Sequence, residues 1–380
     1  MSGSTGIAIL GAGLFPGMAY LPALVTLSSF GAIPPLKAIY SRSEKSAKEL
    51  AGVASRSLGV TADIYFDQPE SAERDLDALL TRTDIAAVII ALPITVQPAI
   101  ILRALKAGKH VLSEKPVAAN VKTGLELIKE AAPFVAKGLV WRVAENFEVE
   151  PVYVKVRELI AEKKIGEVRS FKASVKVYLD QTSEWYNTPW RTKPEYQGGF
   201  LVWFDNLDGG VHTSAALRTM LPNFTSSQII SFASLNKEYL APKDTIHAIV
   251  KNSYNGTLDF TWAWPTRSHP NSDETVIMGS TGFIGIARRK VEEGGGWRVT
   301  VNSLASSAPQ EYKETEDTYE FKSSGVVEEF RSFFDVTFNG QMEDGLVGNP
   351  TNALFDVALI QGTLNSEGQL LDLGELWVKG

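Results

Sequence analysis

The sequence predicts an α/β chain: a doubly wound parallel sheet over residues 1–145, then an α+β domain with a large, mostly antiparallel open sheet over 146–380. Three observations predict it. Short apolar runs alternate with amphipathic segments through residue 145, a glycine-rich turn follows the first run, and beyond Glu145 the runs lengthen and take period-two patterning. A length of 380 residues suits two domains at roughly 150 residues each.

In chain order, GIAIL (6–10) reads as a buried strand, Met18 to Phe30 carries apolar residues at helical spacing, 36–41 is a strand, and SEKSAKELA is a helix capped by Ser43. A helix around Ser71 to Leu80, a strand at 85–92, a helix from Val96 to Ala107, a strand at 109–114 and a helix from Asn120 to Ala132 complete the alternation. Parallel strands need such crossover helices. Next come a helix over Tyr153 to Lys163 and strands at 168–179, 229–239, 245–253, 257–264 and 274–280, with Tyr254-Asn255-Gly256 as a hairpin turn. Two late helices, 325–340 and 351–366, follow, and the last is expected to pack back toward the first domain.

Composition excludes several function classes. The chain has no cysteine, which removes disulfides, thiolate zinc, iron–sulfur clusters and cysteine nucleophiles. Its four histidines, His110, His212, His247 and His269, never pair at helical spacing, so no metal site is expected. The net charge of −7 gives no general attraction for nucleic acid or anionic membrane. No apolar run reaches the ~18 residues of a membrane span. The opening MSGSTGIAIL lacks a basic start, so a cytoplasmic protein is expected. A hydrolase elbow, Gly-x-Ser-x-Gly, is absent.

Four constellations carry chemistry. Gly11-Ala12-Gly13-Leu14-Phe15-Pro16-Gly17 follows the first strand and opens a helix, where small residues let a pyrophosphate approach backbone N–H groups. The third glycine falls one place late, with Pro16 in its stead. At the end of the second strand, Ser41, Arg42 and Ser43 supply a cation and hydroxyls for a ribose 2′-phosphate, where an NAD-selective sheet would place a carboxylate. NADP is therefore favoured over NAD, although Ser43 equally suits a helix cap beside a solvated arginine. In Lys109-His110-Val111-Leu112-Ser113-Glu114-Lys115-Pro116, charges stand at the carboxyl end of an apolar strand, and Lys115 can hydrogen-bond a substrate hydroxyl; a simple Glu114–Lys115 pair is the alternative. In Asp208-Gly209-Gly210-Val211-His212, a helix would put carboxylate and imidazole on one face, suited to proton exchange with a carbinol.

Taken in order with Leu92-Pro93, Ala144-Glu145-Asn146, Ile165-Gly166-Glu167-Val168, Trp190-Arg191 and Gly198-Gly199, these elements resemble the glucose-fructose oxidoreductase / inositol dehydrogenase / MocA (Gfo/Idh/MocA) family over essentially the whole chain. The resemblance implies an N-terminal Rossmann domain and a second domain whose open sheet makes oligomer contacts, a dimer being the first choice. It implies that Lys115 and His212 form a proton relay assisted by Asp208, and that Glu114 to Pro116 line the nicotinamide. Asn146, Trp190 and Arg191 match positions facing cofactor or substrate, and Leu92, Pro93 and Gln97 match cofactor contacts. Many members place a polar residue and a histidine after the Leu-Pro, where this chain has Ile94 and Gln97-Pro98. The implied activity is hydride transfer between NADP(H) and a secondary alcohol or carbonyl of a sugar, polyol or dihydrodiol. The alternative is a catalytically silent, NADP-sensing regulator of the same fold. The aromatic residues Phe260, Trp262 and Trp264 are candidates for the open face or for the core.

Overall fold

The computed structural model describes residues 5–378 except 32, 68–71, 185, 188–208, 225–227, 268–272, 292–293, 305–312, 343–344 and 346. Its helices, in order, are α1 (Leu21–Phe30), α2 (Glu44–Leu58), α3 (Leu76–Leu80), α4 (Gln97–Lys106), α5 (Val121–Val135), α6 (Pro151–Ala161), α7 (Gly210–Met220), α8 (Gly325–Thr337), α9 (Pro350–Asn365) and α10 (Leu373–Val378). The chain divides into two compact units. The first comprises Met1–Ala119, Thr123–Asn146 and Gly325–Leu354; the second comprises Asn120–Lys122, Phe147–Ser324 and Phe355–Gly380.

In the first unit, β1 (Gly6–Leu10), β2 (Leu36–Tyr40), β3 (Asp63–Tyr65), β4 (Ile85–Ile90), β5 (His110–Glu114) and β6 (Trp141–Ala144) form a sheet in the order β3-β2-β1-β4-β5-β6. Every pairing is parallel. The order reverses between β1 and β4, the point at which such sheets open a crevice beyond their carboxyl ends. Both faces are covered, so Ile7, Ala8, Ile9 and Leu10 are wholly buried and the strand reads as an unbroken apolar run.

The helix expected from Met18 begins instead as a π-helical turn, Pro16–Tyr20, with the Leu21 N–H donating to the Pro16 carbonyl. Pro22 has no N–H to donate back to Met18, which leaves room for the wider turn. Ser43 does cap α2: its Oγ accepts the Ser46 N–H at 3.4 Å.

Gly325–Leu354 lies beyond the 145 boundary expected from the sequence, yet it groups with the first unit. The reason is apolar: Phe330 and Phe333 on α8 are fully buried, in one cluster with Ile9, Tyr20 and Leu24. Burying side chains of that size contributes roughly 1.5–3 kcal/mol each. The last long helix, α9, divides between the units at Leu354.

In the second unit, β7 (Val168–Lys176), β8 (Gln228–Ser234), β9 (Thr245–Lys251), β10 (Asn255–Thr261), β11 (Asp273–Gly279), β12 (Gly282–Val291), β13 (Gly294–Leu304), β14 (Glu314–Lys322) and β15 (Leu371–Asp372) run in the order β14-β13-β12-β11-β7-β10-β9-β8-β15. Among the pairs, only β7 with β10 is parallel. Phe260 and Trp262 are buried, so they belong to the covered face. The other face carries the exposed apolar residues Phe232, Ile249, Met278 and Phe283, which the register places on one side. The β9–β10 turn is Asn252 to Tyr254, closed by Asn252 Oδ1 accepting the Tyr254 N–H at 2.9 Å. Asn255 and Gly256 are already paired in the ladder. Gly256 is there because a Cβ would lie 2.0 Å from the Phe171 ring. Among the described residues, no helix is long and apolar enough to cross a membrane.

Candidate functional site

The first unit gathers its candidate residues at the carboxyl ends of β1, β2, β4, β5 and β6. Gly11 has φ +115°, and a Cβ there would stand 2.1 Å from the Ala91 carbonyl oxygen. Only glycine fits that crossing. Around Gly13 a Cβ would meet nothing within 4 Å, so the turn is tight at its first glycine and open at its second. The chain is helical from Leu14 onward, which aims the first free N–H groups at the opening. Leu14 is exposed, while Phe15 packs edge-on against Tyr20 at 5.3 Å. Gly17 takes up the late third position, where a Cβ would lie at an ordinary 3.8 Å from Leu50 of α2.

Beyond β2, Ser41 donates its N–H to the Tyr65 carbonyl at 3.1 Å and Arg42 is exposed. Tyr40 donates its hydroxyl to Asp67 at 2.6 Å, and burial together with that bond raises its pKa. Beyond β4, Leu92 and Pro93 are half-buried, and the Pro93 carbonyl accepts the N–H groups of Val96 and Gln97 to start α4. Gln97 is almost wholly buried: its Nε2 donates to the Glu114 carbonyl at 3.2 Å, and its Oε1 accepts no hydrogen bond among the described residues.

Glu114 ends β5 and is held at three atoms. The Tyr20 hydroxyl donates to Oε1 at 2.5 Å, Oε2 accepts the Lys115 N–H at 3.1 Å, and Gln97 takes the carbonyl. Burial, then Glu114 and Glu329 nearby, push the Tyr20 phenol well above its usual range, so it remains a donor. The carboxylate is engaged by the Tyr20 hydroxyl and by the Lys115 backbone N–H. Lys115, half-buried, follows β5, and Asn146 opens the short helical turn after β6; the register of these adjacent strands pairs Glu114 with Ala144.

In the second unit, Gly209 caps α7 and Gly210, Val211 and His212 form its first turn. Gly209 and Gly210 permit close packing, since a Cβ on either would lie 2.8 Å from Trp262 or Ile360. His212 sits in the first turn of α7, half-buried, its imidazole stacked on Phe147 at 4.5 Å and 22°. Lower on α7, Arg218 bonds Glu148 at 2.6 Å and Asp356 of α9 at 2.7 Å, and Ser214 donates to Asp356 at 2.7 Å. Burial works against the guanidinium's charge, but the two carboxylates more than offset it and its pKa rises. Asp208, Trp190 and Arg191 lie outside the described residues. Sequence reasoning missed Tyr20, Phe147 and the Arg218 cluster, because each acts through a partner dozens of residues away. Among the described residues, no group of three or more His, Asp or Glu is placed to hold a metal ion.

The NAD-binding Rossmann-fold model of the GFO/IDH/MocA oxidoreductase family matches residues 5–134, and the family's C-terminal domain model matches 153–285. The chain is an NAD(P)-binding oxidoreductase of the GFO/IDH/MocA family. It is 35% identical to a dehydrogenase of Fusarium mangiferae, covering 95% of this chain and 96% of that one. Over 39% of each chain it is 36% identical to a dTDP-3,4-didehydro-2,6-dideoxy-alpha-D-glucose 3-reductase of Streptomyces violaceoruber. An oxidoreductase of Thermotoga maritima, 26% identical, superposes with a TM-score of 0.74 over 98% of this chain and 99% of that one. For a GFO/IDH/MocA oxidoreductase, the open glycine turn and the exposed Arg42 fit a dinucleotide.

Proposed function

We propose that this family member transfers hydride between NADP(H) and a secondary alcohol or carbonyl of a sugar, polyol or dihydrodiol. The observation that carries the reading is Lys115, anchored through Glu114 at the carboxyl end of β5, on the same carboxyl edge of the parallel sheet as the open glycine turn after β1. Bound nicotinamide supplies the hydride. Gly11, Gly13 and the helix starting at Leu14 hold the pyrophosphate, Ser41 and Arg42 bind the ribose 2′-phosphate, and Leu92, Pro93, Trp190 and Arg191 complete the cofactor's surroundings. Lys115 donates to, or accepts from, the substrate oxygen, His212 exchanges the hydroxyl proton, and Asp208 and Asn146 orient the substrate. Ser43 is assigned to the α2 cap.

Purified protein assayed with NADPH and with NADH against a panel of ketoses, aldoses and polyols is expected to turn over with NADPH. Arg42→Ala should reduce kcat/KM for NADPH by ten- to a hundredfold while leaving NADH nearly unchanged, as loss of a charge-assisted hydrogen bond of about 1.5–3 kcal/mol requires. An equal loss with both cofactors would remove the 2′-phosphate assignment, and no turnover on any substrate would favour the regulatory alternative.

The reading includes a homodimer through the exposed sheet face. Phe232 and Ile249 are 67% and 58% exposed there, apolar surface that a second copy would cover. Gel filtration should give twice the chain mass, and Ile249→Asp should halve it; a monomeric wild type sinks the dimer.

A further inference from the structure

We infer that Phe147 is a positioning residue for His212, setting the plane of its imidazole; the inference rests on the proton-exchange role proposed for that histidine. The two rings stack at 4.5 Å with planes 22° apart. Stacking covers a face of the imidazole rather than the edge that carries both nitrogens, so it fixes where that edge points without occupying it. An unsupported histidine would turn about χ2, which is broad and nearly two-fold.

Phe147 is itself wedged. Tyr153 lies 5.2 Å from it at 36°, and Trp297 meets it edge-on at 6.0 Å and 89°, with Tyr153 and Trp297 in turn 5.4 Å apart. Tyr153 and Trp297 are buried, at 4% and 3% exposure, so neither can swing away to release the ring. The backbone of the platform is tied to the helix it serves. Glu148, the next residue, bonds Arg218 of α7 at 2.6 Å, and Arg218 is pinned by Asp356. Platform and imidazole are thus fixed to one buried ion cluster. A ring held only for packing needs no such tie; a ring that must keep a catalytic edge to within a fraction of an ångström does, since a misplacement of about 1 Å can cost a hundredfold in rate.

The test uses the whole chain with isotope-labelled histidine. The sequence has only four histidines, so single substitutions assign every imidazole signal. His212 ring protons should resonate upfield of the other histidines because they lie over the Phe147 ring. Phe147→Leu, which keeps apolar bulk but removes the π-face, should move the His212 signals downfield and lower kcat about tenfold, with the Kd for NADPH unchanged. Phe147→Tyr should restore both the shift and the rate. Unmoved His212 signals in Phe147→Leu, or equal rates in the Leu and Tyr variants, would overturn the inference. Should His212→Ala retain full turnover, the proposed role of the histidine fails; should His212→Ala lose turnover while Phe147→Leu keeps it, only the positioning role fails.

Discussion

Lys115→Ala is expected to lower kcat for carbonyl reduction by about a hundred- to ten-thousandfold, the range associated with losing a positioned proton donor. The protein should stay folded and still bind NADPH, because three hydrogen bonds to Glu114 hold the turn. Its geometry is set by Glu114, whose carboxylate accepts from Tyr20 and from the Lys115 backbone N–H, and whose carbonyl accepts from Gln97. Removing the side chain beyond Cβ leaves all three bonds in place. Lys115→Arg separates charge from proton transfer: guanidinium keeps the positive charge but does not surrender its proton near neutral pH. If Lys115 moves a proton, the arginine variant should be nearly as slow as the alanine variant; if it acts only as a fixed charge, arginine should recover much of the rate. Stopped-flow oxidation of NADPH under single-turnover conditions, with cofactor Kd measured alongside, decides between them. Undiminished turnover in Lys115→Ala would remove the residue from the chemistry.

What could be read in advance followed from local pattern. GIAIL, the glycine turn and IAAVII have apolar runs and turn residues that no other arrangement of the chain satisfies as well, and they form β1, its turn and β4. Signals failed where a residue's reason lies elsewhere in the fold. Asn255-Gly256 has turn chemistry, yet it lies in β10 because the Phe171 ring needs the space. β14, ETEDTYEFK, has no apolar alternation since it is an exposed edge; its carboxylates suit an edge that must not recruit another strand. β6 was too short to read at four residues. At the site, Lys115 and His212 stood out by type and neighbourhood, whereas Tyr20 and Phe147 are ordinary aromatics in sequence. Their roles arise from contacts 94 residues away for Tyr20 with Glu114, and from a helix beyond the 188–208 segment for Phe147.

Arg218→Ala should be the most destabilising of these substitutions, by about 3–5 kcal/mol, the cost of stranding buried charges. The guanidinium is the shared partner of Glu148 and Asp356, whose side chains are 4% and 1% exposed. Without it, two buried carboxylates lose the cation they share, while Ser214 still donates to Asp356. The loss should depend on pH with a definite sign. Protonating one carboxylate removes a buried charge, so the native variant binds protons that the unfolded chain releases, and its stability should rise as pH falls from 8 toward 5. The wild type, whose ion cluster needs both anions, should not share that gain. Arg218→Met combined with Asp356→Leu and Glu148→Gln removes the charges together and should recover much of the stability, because a paired cluster in an apolar setting contributes little net. Urea unfolding of the three proteins at pH 5, 7 and 8 measures all of this, and an Arg218→Ala variant that loses less than about 1 kcal/mol at pH 8 would show that the cluster does not tie α7 to α9.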